Sequence, residues 1–106
     1  ASRTLLGIVG LEQCVHVHKS CDLGYWLRKE ARGSGQMTEA AHACVEFGFR
    51  RMAAHRVRVA ASTQNHPSLA VIARLGFRFE GIARQAEYCD GRWLDHAVFA
   101  RLSSDT

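Results

Sequence analysis

Tyr25-Trp26-Leu27-Arg28-Lys29-Glu30-Ala31-Arg32-Gly33-Ser34-Gly35-Gln36-Met37-Thr38-Glu39-Ala40 decides how the rest of the chain is read. Its apolar pattern passes from strand-like to helical across a short loop holding two glycines. Glycine lets successive N–H groups turn inward, and the helix start that follows leaves about four N–H groups without intrahelical partners. Donors placed in this way suit an anionic oxygen. The loop lacks the lysine and Ser/Thr that end a P-loop and the three-glycine spacing of a dinucleotide-binding turn, so ATP and NAD fit it poorly. An ordinary turn can also carry two glycines, so the reading depends on the flanks.

Downstream, from Gly35 or Gln36 to about Ala54, Met37, Ala40, Ala41, Cys44, Val45, Phe47, Gly48 and Met52 recur at helical steps and are expected to be core. His42 falls among the polar positions and is expected to be exposed. Arg56-Val57-Arg58-Val59-Ala60-Ala61 alternates as a strand. A strand, helix and strand in succession make a β-α-β unit, so residues 56–61 are expected to run parallel to 23–28. A second helix is predicted at about Pro67 to Leu75, capped by Asn65 or His66 and stopped by Gly76.

Phe77 onward reads as a hairpin turning at Asp90-Gly91. A two-residue turn there sets Tyr88 opposite Trp93, Glu87 opposite Leu94, Gln85 opposite His96 and Ile82 opposite Phe99. Glu87, Gln85 and His96 then share one face. Upstream, Leu5 to Leu11 is a predicted strand, with Val15 to His18 extending its antiparallel partner. Ser103 to Thr106 is a polar tail.

The 106 residues, 47% hydrophobic, suit one domain spanning 1–106. No run approaches the roughly 18 apolar residues of a membrane span, and no signal-peptide pattern is present, so the expectation is a cytoplasmic protein without a membrane partner. The net charge of +4 suits an anionic ligand. Without a Lys/Arg tract or an aromatic-studded RNA motif it does not indicate nucleic acid. Cys14, Cys21, Cys44 and Cys89 follow no secreted-domain framework, and free thiols are expected. Cys14, His16, His18 and Cys21 raise a zinc reading, but their spacing is not that of a zinc ribbon, and a plain strand and loop outweighs it; no metal is expected.

Five motifs stand in one order: L-G-Y-W-L (23–27), R-G-S-G-Q-M-T-E-A (32–40), N-H-P-S (65–68), R-L-G-F (74–77) and D-G-R-W-L-D-H (90–96). With them the chain, from about Leu5 to Leu102, resembles the acetyl-coenzyme-A-dependent N-acetyltransferase superfamily (GNAT), in its RimJ/RimL-type branch of ribosomal-protein N-terminal acetyltransferases. Glu30 departs from the Gln or Arg usual at the head of that family's pyrophosphate loop, while Gly33 and Gly35 match it. The resemblance implies an α/β (α+β) fold, a mixed and mostly antiparallel sheet with a central splayed parallel pair, two helices in this chain and a C-terminal β-hairpin. These 106 residues would be the central and C-terminal part of such a fold, because the family carries a strand, two helices and another strand before this point. As those elements normally cover the sheet, the resemblance implies an uncovered apolar edge at Leu5 to Leu11 that favours self-association, a homodimer being the simplest form.

The resemblance further implies transfer of acetyl from acetyl-coenzyme A to a primary amine, a protein N-terminal α-amine or a related small amine, by direct attack without a covalent enzyme intermediate. Arg32, Gly33, Ser34, Gly35, Gln36, Met37 and Thr38 would hold the pyrophosphate. Leu27 and Arg28 would pair with pantetheine or polarise the thioester carbonyl. Asn65 would meet the pantetheine arm, although capping is an equal use for it. Ser68 would protonate the leaving thiolate, and Glu87 would take the amine proton, with His96 as the rival base. Two other classes remain open: a coenzyme-A-binding module without catalysis, and a protein or nucleic-acid interaction domain on the same sheet.

Overall fold

The computed structural model describes residues 7–27 and 36–105, with the backbone alone at 7–9, 25–27 and 36. Its elements in chain order are β1 (Gly7–Val15), β2 (Ser20–Leu27), α1 (Gln36–Arg51), β3 (Arg56–Ser62), α2 (His66–Arg74), β4 (Arg78–Cys89) and β5 (Arg92–Leu102). The strands form one sheet in the order β1-β2-β3-β5-β4. Among the described strands only β2 and β3 pair in parallel, as the β-α-β connection through α1 requires. The expected mixed sheet, parallel pair, two helices and terminal hairpin are all present.

The core lies between this sheet and the two helices. Val57, Val59 and Ala61, alternate residues of β3, are buried against Met37, Ala41 and Val45 of α1 and Val71 and Ile72 of α2. A Cβ built at Gly48 would stand 2.9 Å from Leu11 Cδ1, so glycine lets α1 sit directly on β1. Two of the expected core positions of α1 are corrected. Phe47 is 56% and Met52 37% exposed. Met52 follows the last turn of a helix that ends at Arg51, short of the expected Ala54. Phe49, on the face turned to the sheet, packs against the core instead. His42 is exposed, as expected.

The first hairpin also differs from expectation. β1 runs on to Val15, and His16 to Lys19 form a turn rather than a strand. The register slips between Glu12 and Val15, and this irregularity brings Cys14 and Cys21 together, their Cα atoms 4.1 Å apart, as a disulfide. The expectation of free thiols is therefore corrected for this pair, while Cys44 and Cys89 are free. Cysteine parity and spacing could not show this, because the contact depends on cross-strand register.

The anticipated apolar edge at 5–11 falls partly outside the described residues, and Leu11 packs against the core. Among the described residues, Phe79, Ile82, Tyr88 and Trp93 of the terminal hairpin are exposed, as are Val15 and Val17 at the first hairpin turn. Phe79 meets Phe99, and Tyr88 meets Trp93, edge to face. Among the described residues no helix is long and apolar enough to cross a membrane.

Candidate active-site cleft

The site follows from where one ladder stops. β2 pairs with β3 at Ser20↔Arg56, Cys21↔Val57 and Asp22↔Arg58 and no further. β2 continues to Leu27 on the ladder of β1, and β3 continues to Ser62 on the ladder of β5. Each strand thus keeps its outer neighbour and loses its inner one. The facing edges carry backbone donors and acceptors that a ligand with amide groups can pair, as an added strand would. A cleft of about 310 Å³ opens there, lined by Leu23, Gly24, Val59, Ala60, Ala61 and Ser62 along the strands, by Asn65 and Ser68 of the α2 start, and by Glu12, Glu87 and His96.

Local chemistry sets the α2 residues. Asn65 caps the helix, its Oδ1 accepting from the Ser68 N–H at 3.2 Å, and Pro67 stands in the first turn where its missing N–H costs nothing. Asn65 therefore does serve as the cap. That bond uses the side-chain oxygen, and the Nδ2 amide carries the donors that a group bound in the cleft can accept.

Glu87 and His96 depend on the terminal hairpin. Its turn at Asp90-Gly91 has φ of 50° and 79°, the paired positive values of a two-residue hairpin turn, and sets Tyr88 opposite Trp93 and Glu87 opposite Leu94 as expected. Beyond that the expected register fails. His96 faces Ala83 rather than Gln85, and Phe99 faces Phe79 rather than Ile82, which pairs with Ala97. Two irregularities cause this. One lies between Ala83 and Glu87, where Gln85 adopts φ 49° and its N–H donates to Asp95 Oδ1 at 2.8 Å; the other lies at Gly81, with φ 145°. Gln85 no longer stands opposite His96, and Glu87 and His96 are in direct contact, Glu87 Oε1 standing 2.9 Å from His96 Nε2. The glutamate and histidine expected as rivals are one hydrogen-bonded pair. His96 is the more buried, at 25% side-chain exposure against 46%.

The remaining expected site residues divide in two. Arg28, Arg32, Gly33, Ser34 and Gly35 lie outside the described residues, and Leu27 and Gln36 are described as backbone. Met37 is core, so only its backbone is available to a ligand. Thr38, in the first turn of α1, has a fully buried Oγ1 without a hydrogen-bond partner among the described residues. Leaving a buried hydroxyl unpaired costs about 1–3 kcal/mol, so the position favours a partner from outside the described residues.

A cysteine nucleophile has no support in the cleft. Cys89 is not among its lining residues, and the neighbouring Asp90 carboxylate raises its thiol pKa above the ordinary value. Among the described residues no three His, Cys, Asp or Glu side chains stand together as a metal site. Glu12 was missed by sequence reasoning. Its sole signal is a glycine two residues beyond its cross-strand partner Asp22, which becomes meaningful once the register is known.

Residues 1–78 match a family model described as an acetyltransferase (GNAT) domain. The chain is 36% identical over 102 residues to a probable N-acetyltransferase of Bacillus subtilis, YjcK, covering 95% of this chain and 56% of that protein. It is 31% identical over 104 residues to the ribosomal protein uS5-alanine N-acetyltransferase of Escherichia coli, covering 97% and 54% respectively. A crystal structure of a probable acetyltransferase superposes with a TM-score of 0.93 at 31% identity, covering 97% of this chain and 57% of that one. The chain thus spans a little over half the length of these relatives.

Proposed function

We propose, for a chain that belongs to the acetyltransferase (GNAT) domain family, that its cleft binds acetyl-coenzyme A and transfers the acetyl group to a primary amine. The observation that carries this reading is the early end of the β2–β3 ladder, with the Glu87–His96 pair and the α2 start at the opening. Pantetheine amides would pair with the free strand edges near Leu27. The pyrophosphate would lie on the loop of Arg32 to Gly35 and the start of α1, where the Thr38 hydroxyl, without a partner among the described residues, suits an anionic neighbour. Asn65 would donate its amide to the pantetheine arm.

The amine nitrogen attacks the thioester carbonyl carbon, a C–N bond forms and the C–S bond breaks. One proton must leave the nitrogen and one must reach the thiolate. An α-amine has pKa near 8 and a free glutamate near 4.3, so the carboxylate works best as half of a pair that also holds an imidazole. Glu87 and His96 would take the amine proton together, directly or through one water, and Ser68 would return one to the thiolate. The relatives' action on ribosomal-protein alanine supports a protein N-terminal α-amine as the acceptor and a cytoplasmic setting.

Thiol release from acetyl-coenzyme A, followed with an alanine-started peptide, tests the reading. Amine-dependent release that is lost in Glu87→Gln supports it. Coenzyme A binding without release in any amine would leave a binding module, and steeply salt-dependent RNA binding would favour an interaction domain.

A further inference from the structure

Glu12 reaches the cleft in an unusual way. It pairs across the first hairpin with Asp22, so two like charges stand directly opposite on the sheet face away from the helices, an arrangement that destabilises a sheet. Asp22 is relieved, because Arg58 of β3 stands 3.5 Å from its carboxylate. Glu12 is not: among the described residues no cationic side chain pairs with it. Its carboxylate extends over Gly24 instead, where a Cβ would come within 2.7 Å of Glu12 Cδ. Gly24 therefore leaves the space that the Glu12 carboxylate occupies, and both residues line the cleft. On the other wall Glu87 is bonded to His96, so the cleft presents an engaged carboxylate on one side and, on the other, one without a cationic partner among the described residues.

We infer that Glu12 is a specificity residue for the acceptor, selecting amines that carry a second cationic group, ammonium or guanidinium, beside the amine to be acetylated. The inference rests on the acetyl-transfer reading for the reacting amine. The second cation supplies the charge that Glu12 lacks and relieves its repulsion with Asp22. The reacting amine loses its proton at Glu87 and His96, while the second group keeps its proton and holds the acceptor across the cleft. Such a group can belong to a small diamine or to a basic side chain next to a peptide N-terminus.

Two acceptor pairs separate these sources: putrescine against butylamine, and an alanine-started peptide with lysine or norleucine following. The expected result is a preference of roughly fivefold in kcat/KM for the cationic member of at least one pair, as suits a partly exposed ion pair. Glu12→Gln should abolish the preference and Glu12→Asp should recover part of it. Gly24→Ala keeps the charge but displaces the carboxylate, and should abolish it too. Equal preference in the protein and in Glu12→Gln, or none in either pair, overturns the inference. Absence of turnover with every amine would instead overturn the acetyl-transfer reading. In that case calorimetry of putrescine binding decides for Glu12, since equal affinity in the protein and in Glu12→Gln overturns its role.

Discussion

The two ends of the β2–β3 pair are built from the same strands and do opposite things. At the closed end Ser20 to Asp22 lie on the ladder of β3, the Lys19 carbonyl accepts from the N–H groups of His55 at 2.6 Å and Arg56 at 3.1 Å, and Cys14–Cys21 ties β2 to β1. At the open end the backbone of each strand has an outer partner alone, and the gap is bordered by Asn65, Ser68, Glu87 and His96. The cross-links lie where the strands meet, and the cleft proposed for acetyl transfer opens where they part. A ligand can therefore pair with backbone groups at the open end without displacing a β2–β3 ladder bond.

The largest expected effect breaks the open end. Glu87→Gln and His96→Ala should each lower kcat by roughly a hundredfold with little change in coenzyme A affinity, and the double variant should be no worse than the weaker single one. Steady-state kinetics of the three variants decide this; additive losses would show two separate groups rather than a pair. Ser68→Ala should reduce kcat more mildly.

At the closed end, reduction of Cys14–Cys21, or Cys14→Ser with Cys21→Ser, removes the constraint on a short loop, a loss of about 2 kcal/mol. A thermal midpoint lower by roughly 10 °C, with kcat within about twofold below the transition, would show that the ends are energetically separate. A matching loss of turnover would show that the closed end holds the cleft open.

Asn65 joins the two roles. Asn65→Ala should cost about 1 kcal/mol of stability through the lost cap, whereas Asn65→Asp keeps the capping oxygen and loses the amide donor. If the amide holds pantetheine, Asn65→Asp retains the unfolding midpoint and raises the KM for acetyl-coenzyme A. An unchanged KM would leave Asn65 as a cap alone.

The smallest effect concerns pH. Arg56 of β3 binds Glu80 of β4 through two hydrogen bonds, 2.8 Å and 2.7 Å, spanning β5 on the face away from the helices. These bonds hold the Glu80 carboxyl below its ordinary 4.5 and raise the Arg56 pKa. The pair's contribution is thus present above the ordinary carboxyl pKa and is lost as pH falls through the lowered one. Both side chains are about one-third exposed or more, so the gain over Glu80→Gln at pH 6 should be a fraction of a kcal/mol. Urea unfolding at pH 6 and pH 3 should show it vanish in acid.

Much of the molecule was legible in the residues alone, because the signals were local. Apolar spacing marked α1, Asn65 and Pro67 marked the start of α2, Gly76 marked its end, and Asp90-Gly91 marked the hairpin turn. Each of these depends on the conformation of a few consecutive residues. The order of strand, helix and strand likewise required β2 and β3 to be parallel.

What the tertiary structure decided was register. The residues inserted before Glu87 stand where no glycine marks them, in a bulge held by Asp95 from the neighbouring strand, and they move Gln85 away from its expected place opposite His96, which bonds Glu87. The slip between Glu12 and Val15 similarly produced the Cys14–Cys21 bond, and the cross-strand pairing laid Glu12 over Gly24. Side chains alternate across a strand with a period of two, so local sequence can name the faces of one strand. Which residue of the next strand lies opposite is settled by turns, bulges and packing summed over the whole sheet.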